Sequence, residues 1–112
     1  MLARANRLTR ADDYRRTVRG RRLVSTNTIV YIADRRDRGP SRFGFIVGRS
    51  VGNAVIRNTI RRRLRAVCFE LVSSTATGFD VVVRALPSSR EASWATLQGE
   101  VSRAMGRGTV RA

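Results

Sequence analysis

Residues 52–73 constrain the chain most. Ile56, Ile60, Leu64, Val67 and Leu71 recur at three- and four-residue intervals, which places them on one stripe of a helix. Projection at 100° per residue sets Arg57, Arg61 and Arg65 along one ridge, with Asn58 and Arg62 on the ridge beside it. This arc opposes much of the apolar stripe. A helix of this kind must lie on an apolar surface that the rest of the chain supplies, while its far side stays basic. From Arg49 to Arg65 there are six Arg and no acidic residue, so the arc lacks the ion pairs at four-residue spacing that lace an ordinary solvated helix.

The same bias runs through the whole sequence. Its 112 residues hold 23 basic side chains, all of them Arg, against 8 acidic ones, a formal charge of +15. A compact body carrying that excess repels itself, and a polyanion that neutralises it is the simplest reason for it to exist. Arg suits nucleic acid because its planar fork grips phosphate bidentately and stacks on bases. A coding bias explains Arg in place of Lys, but not the excess. The 42% hydrophobic content suffices for one folded core in a chain of this length.

Several function classes drop out. Cys68 stands alone and there is no His, so a disulfide framework and the usual thiol or imidazole metal sites are absent; a packed core thiol is the expected role of Cys68. No carboxylate pair or nucleophile beside a base is legible from the spacing, which predicts no protein catalytic residues. No apolar run approaches the roughly 18 to 20 residues needed to span a bilayer, and no secretory signal pattern opens the chain. A soluble cytoplasmic protein without a membrane partner is expected.

Around the basic helix the pattern predicts further elements. A short helix from Thr9 to Gly20 has Thr9 as its cap and Asp12 and Asp13 in its first turn, where the dipole favours carboxylates. Tyr14 and Val18 share one side of it. Residues 28–33 and 42–47 read as strands joined in a hairpin through the polar residues 34–41. A third strand, residues 79–85, carries Val81, Val82 and Val83 and fits burial on both faces. A last helix starts near Ser88, which has capping-box spacing to Glu91, and runs through the stripe Trp94, Leu97, Val101 and Met105 to a stop at Gly106 and Gly108. Residues 1–5 and 106–112 are expected to be disordered tails of a single domain. The fold class is a two-layer α/β (α+β) sandwich.

Asn53 and Asn58 add specificity to the basic helix, since amides at its start donate to phosphate, sugar and base edges. Gly48 and Gly52 bracket the preceding turn, where backbone N–H groups are expected to add anion contacts. The run Gly44-Phe45-Ile46-Val47-Gly48-Arg49-Ser50-Val51-Gly52-Asn53-Ala54-Val55-Ile56-Arg57-Asn58-Thr59-Ile60-Arg61-Arg62-Arg63-Leu64-Arg65 closely resembles the signature of the bacterial ribonuclease P protein component. The opening Asn6-Arg7-Leu8-Thr9, the later Asp13-Tyr14, the third strand and Pro87 extend the resemblance over residues 6–105.

The resemblance implies a ribosomal-protein-like sandwich with the long helix in a left-handed βαβ crossover. It implies a protein cofactor of the ribonuclease P ribozyme, which removes the 5′ leader of precursor tRNA by hydrolysis. The catalytic centre and its Mg²⁺ would belong to the RNA, and the protein alone would be inactive. Arg49, Asn53, Arg57, Asn58, Arg61, Arg62 and Arg65 would contact the catalytic RNA. Tyr14, Val18 and Tyr31 would line a cleft between the first helix and the sheet that takes the single-stranded leader of the precursor tRNA, with no obligate protein partner. Thr59 and Ser50 stand where the family commonly has basic residues, and Val18 where it can have an aromatic ring, so some phosphate and stacking contacts are missing. A structural rRNA-binding ribosomal protein shares the charge, size and layered fold. A DNA-binding protein lacks support, because no helix-turn-helix pairing is evident.

Overall fold

The computed structural model describes residues 2–110. Helix α1 (Ala11–Val18) precedes strands β1 (Arg21–Val24), β2 (Thr28–Asp34) and β3 (Arg42–Ile46); helix α2 (Ala54–Leu71), strand β4 (Phe79–Ala85) and helix α3 (Trp94–Gly108) follow. Short 3-10 turns lie at Arg4–Asn6, Val72–Ser74 and Pro87–Glu91. The sheet order is β1-β2-β4-β3. β1 and β4 run antiparallel to β2, and β3 runs parallel to β4, so α2 is the crossover between two adjacent parallel strands.

The expected hairpin between residues 28–33 and 42–47 does not form, because β4 lies between those strands. Val81, Val82 and Val83 are fully buried and need apolar cover on both faces, which only an interior strand receives. The segment after β2 is pinned to the start of β4 instead. The Arg35 N–H donates to Gly78 O at 2.9 Å, Gly78 N–H to Gly39 O at 2.8 Å, and Ser41 Oγ to Ala76 O at 2.6 Å. The hairpin that does form joins β1 to β2, and β1 was hidden in the sequence because Arg21-Arg22-Leu23-Val24 has little apolar alternation.

The sheet has two unequal faces. Val30, Ile32, Phe43, Val81 and Val83 meet Ile60, Leu64, Val67 and Cys68 of α2 and Leu97, Val101 and Met105 of α3 in the main core. Burying a side chain of this size contributes about 1.5 to 3 kcal/mol, so this layer holds the fold together. The stripe predicted for α2 is the one buried, with Ile56 and Leu71 half-covered at its ends. Cys68 is fully buried as expected, and burial pushes its thiol well above the ordinary range, where it stays protonated and inert. The opposite face carries the smaller cluster of Leu8, Ile29, Tyr31 and Val82 under α1.

Helix ends depart from expectation in instructive ways. Thr9 does not cap α1: Arg10 occupies that position without a side-chain hydrogen bond, while Asp12 and Asp13 do sit in the first turn. Ser88 and Glu91 do not start α3. Ser88 Oγ donates to Thr26 O at 3.0 Å, and Ser93 is the cap, accepting from Thr96 N–H at 3.0 Å. α3 also continues through Gly106 to Gly108, and a Cβ at Gly108 would collide with Ile32 and Leu23. That glycine permits close packing and is not a stop. Within the stretches expected to be tails, Leu2 is buried, Arg4–Asn6 form a turn and residues 106–108 belong to α3; Met1, Arg111 and Ala112 lie outside the described residues.

Candidate nucleic-acid interface

The Asn53 side chain caps α2, accepting the Ile56 N–H at 3.0 Å. This fixes where the helix begins and therefore which way its basic arc points. The preceding turn uses its own donors, with Val51 N–H bonded to Gly48 O and Gly52 N–H to Arg49 O. The anion contacts expected from that turn are thus not offered by those two groups. Arg49 stands exposed within the turn.

Along α2 the predicted residues separate by depth. Arg57 and Arg61 flank the buried stripe and are half-covered; Asn58, Arg62 and Arg65 face solvent. Arg61 donates to Asn58 Oδ1 at 3.3 Å and to Val47 O at 3.4 Å, which ties it back to the end of β3. The Arg57 Nε is buried without a partner among the described residues. Asn58, Arg61, Arg62 and Arg65, together with Val55 and Thr59, line a shallow depression of about 720 Å³. Arg49, Asn53 and Arg57 lie outside it. Thr59 Oγ1 donates to Val55 O at 3.0 Å, so this neutral side chain is turned onto the helix backbone.

None of the described ion pairs involves an arginine of α2. The helix presents fixed positive charge and rigid donor forks to whatever approaches, the requirement for holding a phosphate backbone.

The other predicted surface is the sheet face under α1. Arg22, Tyr31, Val82 and Gly44 form one row across the four strands, and Val24, Ile29, Arg84 and Ile46 the next. The Tyr14 ring lies directly on Gly44, where any Cβ would strike it, and its hydroxyl accepts the Phe45 N–H at 3.2 Å. Tyr31 is only 7% exposed, which makes it part of the floor of this face. Val18 is 37% exposed at its rim. α1 covers part of this sheet face; Ile46 and Leu86 are half-buried against the same cluster, and Arg84 and Arg22 are exposed on that face.

What holds α1 there is a cluster that sequence reasoning missed. Asp80 on β4 is completely buried at its side chain and meets three guanidinium groups. Arg42 of β3 binds it bidentately, with both contacts at 2.8 Å; Arg35 reaches it at 2.6 Å and Arg16 of α1 at 2.5 Å. Asp13 adds a second carboxylate, 3.3 Å from Arg16 and 3.5 Å from Arg42. Burial favours the neutral acid at Asp80, but the hydrogen bonds from Arg42, Arg35 and Arg16 prevail and hold its carboxyl below the ordinary range. The bond to Asp80 is likewise the main cause that raises Arg42, while for Arg35 burial is overcome by its bonds to Asp37 and Asp80. The available signal was one acid within a strand of otherwise apolar interior residues.

A second buried carboxylate, Glu100 of α3, accepts from Asn27 N–H at 3.1 Å, Asn27 Nδ2 at 2.7 Å and Thr28 Oγ1 at 2.8 Å. It fastens the β1–β2 turn to α3. Among the described residues there is no group of three or more His, Cys, Asp and Glu that could hold a metal ion, and no helix is long and apolar enough to cross a membrane.

Comparison with known proteins bears on the family and the fold. The ribonuclease P family profile matches residues 2–108. The ribonuclease P protein component of Clavibacter michiganensis subsp. michiganensis is 46% identical over 108 residues, covering 96% of each chain. That of Arthrobacter sp. is 46% identical over 110 residues, covering 94% of this chain and 78% of its own. Among solved structures, the RNase P protein of Staphylococcus aureus superposes with a TM-score of 0.79 at 23% identity, covering 96% of this chain and 100% of that one. The RNase P protein of Thermotoga maritima gives 0.79 at 23% identity, covering 95% and 98%; these two likenesses speak to the fold. The matches favour this family over a ribosomal protein, and the chain belongs to the ribonuclease P protein component family.

Proposed function

We propose that this chain serves as the RNA-binding cofactor of a ribozyme that removes the 5′ leader from precursor tRNA in the cytoplasm, with bond cleavage carried out by the RNA. The observation that carries this reading is the arc of Asn58, Arg61, Arg62 and Arg65 on α2, positively charged and outside every described ion pair. In this assignment the arc, with Arg49, Asn53 and Arg57 beside it, holds the catalytic RNA. The sheet face under α1, with Tyr14, Val18 and Tyr31, takes the single-stranded leader. Arg22 and Arg84 beside that face supply phosphate contacts, and the apolar row offers bases a surface to lie on.

The donor chemistry supports leaving Mg²⁺ to the RNA. Asp80 is saturated by three arginines, and Glu100 by Asn27 and Thr28. Neither buried carboxylate has the open, oxygen-rich surroundings that Mg²⁺ requires. The protein's contribution is then electrostatic: it lowers the repulsion between two polyanions, so the complex needs less Mg²⁺ and favours precursor over mature tRNA.

The test is cleavage of a precursor tRNA by the matching catalytic RNA at low Mg²⁺, with and without this protein, beside protein alone. The expected result is inert protein and a mixture that gains cleavage at the mature 5′ end. Tight RNA binding with no gain in cleavage, or cleavage by the protein alone, overturns the proposal.

A further inference from the structure

Phe69 is 48% exposed, and it is the large aromatic side chain that the main core leaves out of α2. A lone exposed apolar residue is ordinary; its place on the helix is not. Seven residues separate it from Arg62 and eleven from Asn58, each an angular offset of about 20° on a helix of 3.6 residues per turn. Arg65, four residues earlier, is offset by about 40° and lies about 6 Å back along the axis. Phe69 therefore continues the outermost line of the basic arc, one turn past its last arginine.

Its surroundings argue against a protein-docking patch. The neighbouring positions on that side are Arg62, Arg65, Ala66 and Ser73, all exposed, with no second large apolar side chain. A protein partner would find one ring set among guanidinium groups. A nucleic acid would find what it requires, because forks that fix the phosphates beside an uncovered aromatic face suit a base turned out of its helix. The helix end that carries the ring is anchored: Glu70, the next residue, accepts from Gln98 of α3 at 3.2 Å, which ties this end of α2 to the body of the protein.

We infer that Phe69 is a stacking platform for an unpaired base of the RNA gripped by Arg62 and Arg65, so that α2 recognises a break in a helical RNA as well as its phosphates. This rests on the reading that α2 is the RNA-binding helix, and the test separates the two ideas. Binding of the matching ribonuclease P RNA is measured as a function of salt for the wild type, Phe69→Ala, Phe69→Leu, Phe69→Trp and the double variant Arg62→Ala with Arg65→Ala. Thermal unfolding of each variant shows that it folds, as expected for exposed positions.

Phe69→Ala is expected to weaken binding roughly 5- to 150-fold, the loss associated with one stacked base, without changing the salt slope. Phe69→Trp restores it and Phe69→Leu does not, because stacking needs a flat π face. The double arginine variant lowers the slope instead. Wild-type affinity for Phe69→Ala beside a weakened arginine variant overturns the platform and leaves α2 as the RNA-binding helix. Wild-type affinity for both overturns the platform together with that reading. Full affinity for Phe69→Leu overturns stacking in favour of plain apolar contact.

Discussion

Arginine is used in opposite ways in two regions of this molecule. In the cluster at the start of β4, Arg16, Arg35 and Arg42 converge on one buried carboxylate, and their charge is consumed within the fold. On α2, Asn58, Arg61, Arg62 and Arg65 line an open surface, and none of these arginines enters a described ion pair. The side-chain type is the same, and so is the chain's overall excess of positive charge. The difference lies in what is opposite: Asp80 converts three repelling cations into a clamp that joins α1, the β2–β3 loop and β3 to the central strand, whereas no described ion pair takes up an arginine of α2, which leaves their charge for a partner. Net charge therefore describes neither region. Local pairing does.

If that contrast is correct, removing the carboxylate should injure folding and removing the helix arginines should injure binding, without exchange of effects. The largest expected effect is Asp80→Asn, which leaves three guanidinium groups together without their counter-charge; urea unfolding should show a loss of about 3 to 5 kcal/mol. Unchanged stability breaks the contrast outright. The acid limb of the stability curve should follow the same group. Because the Asp80 pKa is lower in the folded protein than in the unfolded chain, its contribution is complete above the unfolded value of about 3.9 and is lost as pH falls through the lower folded value. Wild-type stability measured by urea titration should thus fall more steeply below about pH 4 than that of Asp80→Asn. The smallest expected effect on folding, and the sharpest on binding, comes from Arg62→Ala with Arg65→Ala. Stability should move by no more than about 0.5 kcal/mol, while the slope of log affinity against log salt falls by roughly one per lost phosphate contact at most.

The two regions were unequally legible in the sequence. α2 was readable in most of its detail because a helix repeats its environment every few residues: Ile60, Leu64 and Val67 announce the buried side, and the arginines announce the other. β4 was readable for a similar reason, its three consecutive valines requiring cover on both faces. The Asp80 cluster was not, because its three arginines lie 38 to 64 residues from Asp80 and meet it only once the sheet is assembled. The same distance explains the misplaced hairpin. Residues 28–33 and 42–47 are neighbours in sequence, but nothing local reveals that a strand from beyond α2 will separate them. Cap choice failed on a shorter scale, where Ser88 and Ser93 both had plausible spacing and the packing of the Pro87–Glu91 turn decided between them. Tyr31 lies on the face under α1, and its burial could not be read from its strand pattern alone.

The central position of β4 also sets the order in which the molecule can be completed. β3 has no partner among the named strands other than β4, and Arg16, Arg35 and Arg42 all precede Asp80 in the chain. During synthesis from the N-terminus, the β1–β2 hairpin and the basic helix are made while the sheet is still in two pieces and its cations repel one another. Only the arrival of residues 79–85 joins the halves and cancels that repulsion in one step.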